Sequence, residues 1–327
     1  MKYSEMSLKI LAARELGIIK TNAQFWKDFS DSTQLAEKLQ NNPHIENVME
    51  RLSIDFDLAD NEDGVICAFD NEFPVINHNV KNNGDKPYLL FYKGDLSSLA
   101  ELNRNVAVIG LLDPDDDIVK RETKIVEELI AMGTDSHKEL IIVSGLAVGC
   151  DTIAHKVCLE NSGKTIAILP TQINKIYPVV NRDLAKAIVD KGGLLLSEYY
   201  KEPLSRNESL KRLVDRDRLQ AMFAKAIILI ASYRKGEGDS GSRHAMEAAK
   251  KYGLMRYVMY NPQTDEKNIR FGLNKDFVYS KAKEENVEVL VAKSIKDISA
   301  LTNHNLEKKR STFCVQQTLD FNQPARF

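Results

Sequence analysis

Two glycine-bearing segments offer the clearest chemistry in the chain. The first is Ser144-Gly145-Leu146-Ala147-Val148-Gly149-Cys150-Asp151, which follows a short branched apolar run and leads into a helical stretch. Glycines at Gly145 and Gly149 let backbone amides approach an anion, and the unpaired N–H groups of a helix start point at the same place. Asp151 is placed to cap that helix. The second segment runs from Ser232 to Ser242 and ends in Ser240-Gly241-Ser242, with Arg234 and Lys235 nearby and a helical stretch after it. Its hydroxyls and amides suit a phosphate or a ribose. Neither segment is a Walker A loop or a G-x-G-x-x-G fingerprint, so a standard nucleotide site is weakly supported. Two such loops on one sheet make an anion site a stronger reading than either alone.

Other residue types add less. Lys201 to Arg218 is the most basic stretch, but it also carries Glu202, Glu208, Asp215 and Asp217. Arg212, Arg216 and Gln220 share a helix face at four-residue spacing, and from spacing alone that face is expected to be ion-paired and solvated. His155 stands four residues after Asp151, yet no G-x-S-x-G nucleophile accompanies the pair, so a structural, hydrogen-bonded histidine is expected. Cys67, Cys150, Cys158 and Cys314 form no C-x-x-C pair, and His137, His155 and His244 give no zinc spacing. Reduced, mostly buried thiols are expected, with no catalytic set, metal or cofactor.

These segments need elements to position them. Between about 105 and 262, six apolar runs (Val106–Ile109, Leu140–Val143, Thr165–Leu169, Leu194–Leu196, Ala226–Ala231, Arg256–Tyr260) alternate with amphipathic stretches. That pattern predicts an α/β fold, a doubly wound, mostly parallel sheet with helices on both faces. In such a sheet ligands bind beyond the carboxyl ends of the strands, where both glycine segments fall. Residues 1–60 read as a small helical module, 61–302 as the α/β domain and 303–327 as a flexible tail. Phe277–Tyr279 and Val287–Val291 are expected to add strands. The 327 residues are 43% hydrophobic and 28% charged with formal charge −2, which excludes a globally basic nucleic-acid coat but not a local basic groove. No apolar run approaches the roughly 18–20 residues of a membrane helix, and Met1–Leu11 has no signal-peptide pattern; a cytoplasmic protein is expected.

Taken together the motifs resemble the DprA/Smf DNA-processing family. Ser144-Gly145-Leu146-Ala147 with Gly149-x-Asp151-x-x-Ala154-His155, then Thr165–Leu169, Tyr177-Pro178, Gly193–Glu198, Arg216-x-Arg218 and Ser240-Gly241-Ser242 stand in the family's order, preceded by Phe73-Pro74 and Leu90–Leu96. The resemblance covers about 73–262. It implies an extended Rossmann-like fold that binds single-stranded DNA and helps load a RecA-type recombinase, as a homodimer, without a settled enzymatic reaction. It places Ser144, Gly145, Gly149, Lys164, Arg216, Arg218, Ser240, Gly241 and Ser242 at DNA phosphates, and offers Tyr177, Tyr199 and Tyr200 as stacking surfaces, with buried packing their expected role. The family's Gly-Thr/Ser-Arg turn after the first sheet strand is here Gly110-Leu111-Leu112, followed by Asp113, Asp115, Asp116 and Asp117; its Arg-Asn-Arg is Arg216-Asp217-Arg218.

A different class of function competes with this reading. Related folds bind nucleotides as sensors or cleave nucleoside monophosphates with an Arg and a Glu beside a glycine loop, a pair that Arg243 and Glu247 could mimic; the P-G-G-x-G-T-x-x-E string is absent. A third reading is a scaffold that recruits partners through the helical module and the tail. In the tail, Gln316, Leu319 and Phe321 fit a Q-x-x-L-x-F pattern resembling peptides that dock on the replication sliding clamp; the favoured alternative is that Leu319 and Phe321 simply pack as a final strand on the body.

Overall fold

The structure is a computed structural model, and it describes residues 2–40, 42–58, 63–133, 139–238, 241–280 and 286–299. Ser240, Cys314 and the tail residues Gln316, Leu319 and Phe321 lie outside the described residues. The described part centres on one nine-stranded sheet. Its strands are β1 (Asp63–Cys67), β2 (Leu89–Gly94), β3 (Arg104–Ile109), β4 (Leu140–Ser144), β5 (Lys164–Leu169), β6 (Leu194–Ser197), β7 (Ala226–Leu229), β8 (Met255–Val258) and β9 (Val287–Val289). Across the sheet the order is β1-β2-β6-β5-β4-β3-β7-β8-β9. From β6 to β9 every pairing is parallel, whereas β1 and β2 add on antiparallel at the β6 edge.

The apolar runs are strands because both of their faces are covered. Every residue of β3, β4, β6 and β7 is buried, which a parallel sheet requires. The covering helices are α5 (Asp116–Gly133), α6 (Cys150–Glu160) and α7 (Arg182–Asp190) on one face, and α8 (Arg206–Met222) and α9 (Ser242–Lys251) on the other. The chain thus winds outward from β3 to β6, crosses over through α8, and winds out the other way from β7. The order reverses at the β3–β7 pair, so the loops after β3, β4 and β7 meet at one crevice.

Four helices precede the sheet: α1 (Glu5–Glu15), α2 (Asn22–Asp28), α3 (Ser32–Leu39) and α4 (Ile45–Leu58). Gly17 ends the α1 turn at φ 71, and Asp31 caps α3 through the amides of Thr33 and Gln34. Leu8, Leu11, Phe25 and Leu52 share a single apolar cluster with Phe91, Leu169, Ile188 and Leu195. The amino-terminal helices therefore pack onto the sheet and α7. After β8 come α10 (Gly272–Tyr279), β9 and α11 (Ala292–Ser299). Phe277–Tyr279, expected as a strand, is the last turn of α10; a three-residue apolar run does not distinguish a buried helix face from a strand. Val287–Val289 forms the expected β9. No helix among the described residues is long and apolar enough to cross a membrane, and no group of metal-ligating side chains occurs there.

Candidate functional site

The loop after β4 is shaped by Gly145, Leu146 and Gly149. A Cβ on Gly145 would lie 1.2 Å from Nη1 of Arg216. The glycine therefore admits a guanidinium laid directly on the backbone. A Cβ on Gly149, where φ is 77, would meet the Leu111 carbonyl at 2.2 Å, so this glycine lets the loop close against the turn after β3. There Cys150 N–H donates to the Leu111 carbonyl at 2.9 Å, which takes up one of the free amides at the start of α6. Asp151 does not cap α6 as expected. Gly149 is the cap position, without a side-chain bond, and the Asp151 carboxylate instead accepts from Ala147 N–H at 3.2 Å and faces Arg216 at 3.6 Å.

Arg216, 8% exposed, is the centre of the crevice. Its Nε pairs with Asp217 at 3.1 Å and its Nη1 donates to the Ile168 carbonyl at 3.5 Å. With its carbonyl turned inward, the Gln220 amide accepts from Nη1 and Nε at 3.2 and 3.3 Å. Arg212, Arg216 and Gln220 thus form a buried polar face of α8, not the solvated face that spacing suggested. The reason is that α8 crosses over the strand ends, so a face that would be open on an isolated helix is covered. Arg212 lies 4.3 Å over the Tyr199 ring and pairs with Glu208.

The remaining residues implied by the resemblance mostly fasten the frame. Ser144 Oγ donates to the Val108 carbonyl at 2.7 Å and Ser242 Oγ to the Gly110 carbonyl at 3.1 Å; both tie neighbouring elements to the end of β3. Arg218 makes two 2.7 Å bonds to Glu198 and one to the Asp85 carbonyl. Lys164 opens β5 at the opposite, amino edge of the parallel strands, paired with Glu139 at 2.9 Å. Gly241, at φ 86, is the cap position of α9, and a Cβ there would lie 3.3 Å from Oδ2 of Asp217. Tyr177 is 63% exposed, whereas Tyr199 is engaged by Arg212 and Asp215.

Two buried asparagines that sequence reasoning passed over pin the loops. Asn181 donates to the Leu146 and Ala147 carbonyls at 2.9 and 3.3 Å and to Thr152 Oγ1 at 2.8 Å. Asn274 donates to the Leu229, Ile230 and Met259 carbonyls and accepts from Ser232 N–H at 3.0 Å. The first fixes the loop after β4 and the second the start of the loop after β7. An isolated Asn carries no signal in a single sequence; its role depends on three or four hydrogen-bond partners far along the chain.

Three buried ionisable groups beside the Arg216 cluster, His155, Glu122 and Cys150, are held neutral. His155 is fully buried. Thr165 Oγ1 donates to the Ile142 carbonyl at 2.8 Å, so it accepts from His155 Nδ1 at 2.7 Å. Burial, then the Arg216 charge, pulls the imidazole pKa down to about 3. Asp151 and His155 therefore do not act as a pair. Glu122 of α5 is wholly buried beside the Cys150 thiol, and burial, with Asp151 nearby, raises its carboxyl well above the usual range. The Cys150 thiol is raised for the same reason, burial first and Glu122 second. Around the turn after β3, three of the four acidic residues are engaged: Asp113 with Arg270 and the Tyr233 hydroxyl, Asp115 with Ile118 N–H, and Asp117 with Arg121.

The family model for DNA recombination-mediator protein A matches residues 64–293. Among curated proteins, the DNA processing protein DprA of Streptococcus pneumoniae is 41% identical over 115 residues, 35% of this chain and 37% of that protein. Protein Smf of Synechocystis is 32% identical over 163 residues, 49% of this chain and 38% of that one. The alignments thus span less than two-fifths of these relatives' length. Among solved structures, that of DNA processing protein A from Streptococcus pneumoniae superposes with TM-score 0.60 at 24% identity, covering 90% of this chain and 97% of that one. The Helicobacter pylori protein, whose structure is described in terms of its single-stranded DNA binding mode, gives TM-score 0.55 at 23% identity over 76% of this chain and 97% of that one. A sheet of this order, with the matched stretch running from β1 into α11, makes the chain a member of the DNA recombination-mediator protein A family.

Proposed function

We propose that this chain binds single-stranded DNA along the carboxyl edge of its parallel sheet and assists the loading of a RecA-type recombinase as a homodimer in the cytoplasm. The observation that carries the reading is the guanidinium of Arg216 seated on Gly145 at the sheet's switch point. That arrangement argues against the nucleotide alternative, because the side chain fills the space in which a mononucleotide's phosphate would meet the loop amides. A strand, by contrast, can run over the mouth of the crevice. There Arg216, Gly145 and Gly241 lie beneath it, and the starts of α7, α8 and α9 turn their positive ends toward it. Arg182 and Arg206, the first residues of α7 and α8, are exposed, as is Lys235 in the loop after β7, and none of the three has an ion pair among the described residues. Such contacts bind backbone without reading sequence.

Among the described residues, no nucleophile, base and orienting group come together around the crevice, and His155 Nδ1 is taken up by Thr165. We therefore read the protein as a binding factor, with turnover of DNA or nucleotides absent. The tail residues Gln316, Leu319 and Phe321 remain a proposed docking peptide for a sliding clamp. The deciding experiment is fluorescence anisotropy with labelled oligothymidylate over a salt series, with millimolar mononucleotide as competitor. Binding that weakens with a slope of about 0.7 per phosphate contact, and that the mononucleotide leaves in place, supports the reading. Displacement by the mononucleotide would replace it with the sensor or hydrolase alternative.

A further inference from the structure

A cleft of about 360 Å³ opens between the amino-terminal helices and the carboxyl side of the sheet. α4 contributes Arg51, Asp55 and Phe56, the end of α1 contributes Glu15, and the loops after β5 and β6 contribute Gln172–Asn174 and Tyr199–Lys201. It adjoins the crevice directly: Tyr199 follows Glu198, the partner of Arg218, and lies under Arg212 of α8. Its walls are aromatic. Tyr200 stacks on Phe91 at 5.5 Å and on Phe56 at 6.4 Å. The volume falls at the lower end of small-ligand sites, which combine apolar walls with a few convergent polar groups.

The charges of the lining cancel. Two cations, Arg51 and Lys201, stand against two carboxylates, Glu15 and Asp55. Glu15 is clasped by both cations, at 3.1 Å from Lys201. A free phosphate therefore finds no net attraction inside. What remains uncommitted is a mixed set of donors and acceptors. The Asp55 carboxylate, the Asn174 amide and the Tyr200 hydroxyl make no hydrogen bond among the described residues. Burial, with Glu15 and Asp55 nearby, pushes the Tyr200 hydroxyl up to about 12, so it stays protonated and available as a donor. A neutral, flat, aromatic group with donors and acceptors on its edge matches this lining.

We propose that the cleft receives one unstacked nucleobase of a single strand bound along the neighbouring edge, which gives the amino-terminal helices a part in DNA binding. The inference rests on the reading of the protein as a single-strand binder. A duplex keeps its base edges paired, so the cleft favours single strands. The experiment uses the full chain and an oligonucleotide alternating 2-aminopurine with thymine, with anisotropy reporting binding and acrylamide quenching reporting access to the base. With wild type saturated, a fraction of the 2-aminopurine emission becomes shielded from quencher. Asn174→Trp, at the exposed rim, abolishes the shielding while weakening anisotropy-measured affinity less than about 10-fold and leaving the salt slope unchanged; Asp55→Ala reduces the shielding. A strand that binds with no shielded fraction, or with shielding unaltered in Asn174→Trp, overturns the cleft proposal alone. A strand that does not bind at all overturns both the proposal and the reading beneath it.

Discussion

Single residues at the crevice act through burial, and that gives them measurable signatures. Gly145→Ala drives a methyl into the Arg216 guanidinium, which has to leave its seat between Asp151 and Asp217. A loss of about 1–3 kcal/mol in stability is expected, read by urea unfolding, together with weakened strand binding. His155 gives a pH dependence of definite sign. Its folded pKa, about 3, lies below the ordinary 6.5, so the unfolded chain takes up the proton first. Stability from this group is complete above pH 6.5 and falls through the window from 6.5 toward 3, by at most about 1.4 kcal/mol per pH unit. His155→Gln flattens that part of the curve; an unaltered curve would mean the imidazole titrates normally. Glu122 has the opposite sign. Its raised carboxyl means the folded state keeps a proton that the unfolded state releases above 4.5, so stability falls as pH rises through that range. Glu122→Gln is expected to raise Tm more at pH 8 than at pH 5, and an equal change at both would contradict a buried neutral carboxyl.

At the scale of elements, much of the fold was legible because its physics is local. Six buried strands announced themselves as branched apolar runs, and the glycine segments fell after β4 and β7, where a doubly wound sheet puts its ligand loops. What was not legible is what those segments hold. Gly145 reads as an anion cradle in sequence and is a seat for Arg216 in three dimensions, because the partner arrives from α8, some 70 residues later. Arg218 reads as a phosphate contact and is clasped by Glu198. Arg218→Ala should therefore cost about 3–5 kcal/mol by stranding a buried carboxylate, whereas Arg206→Ala, at the exposed start of α8, should change stability by less than about 0.5 kcal/mol while lowering the salt slope of strand binding. Equal stability of the two variants would contradict this division of labour. The asparagine pins make a parallel case. Asn274→Ala removes four hydrogen bonds made to buried main-chain groups, and about 2–4 kcal/mol should be lost. Hydrogen exchange should speed up first in residues 230–238, and exchange unchanged there would show that Asn274 does not hold the loop.

The whole molecule joins the sheet, its two helical faces and the amino-terminal helices in shared apolar clusters, so the carboxyl edge presents a preformed rim. Net charge is close to balanced at −2, and affinity has to come from the local arrangement at that edge. Duplex and single strand carry the same phosphates per strand; what separates them is whether a flexible backbone can follow a short rim and turn its bases inward. The most direct measurement is an equilibrium competition at low salt between a labelled single strand and unlabelled duplex of the same sequence, followed by anisotropy. The unlabelled single strand is expected to displace the label at concentrations at least about 10-fold lower than the duplex does. Equal displacement by both, or a label that never binds, would contradict it.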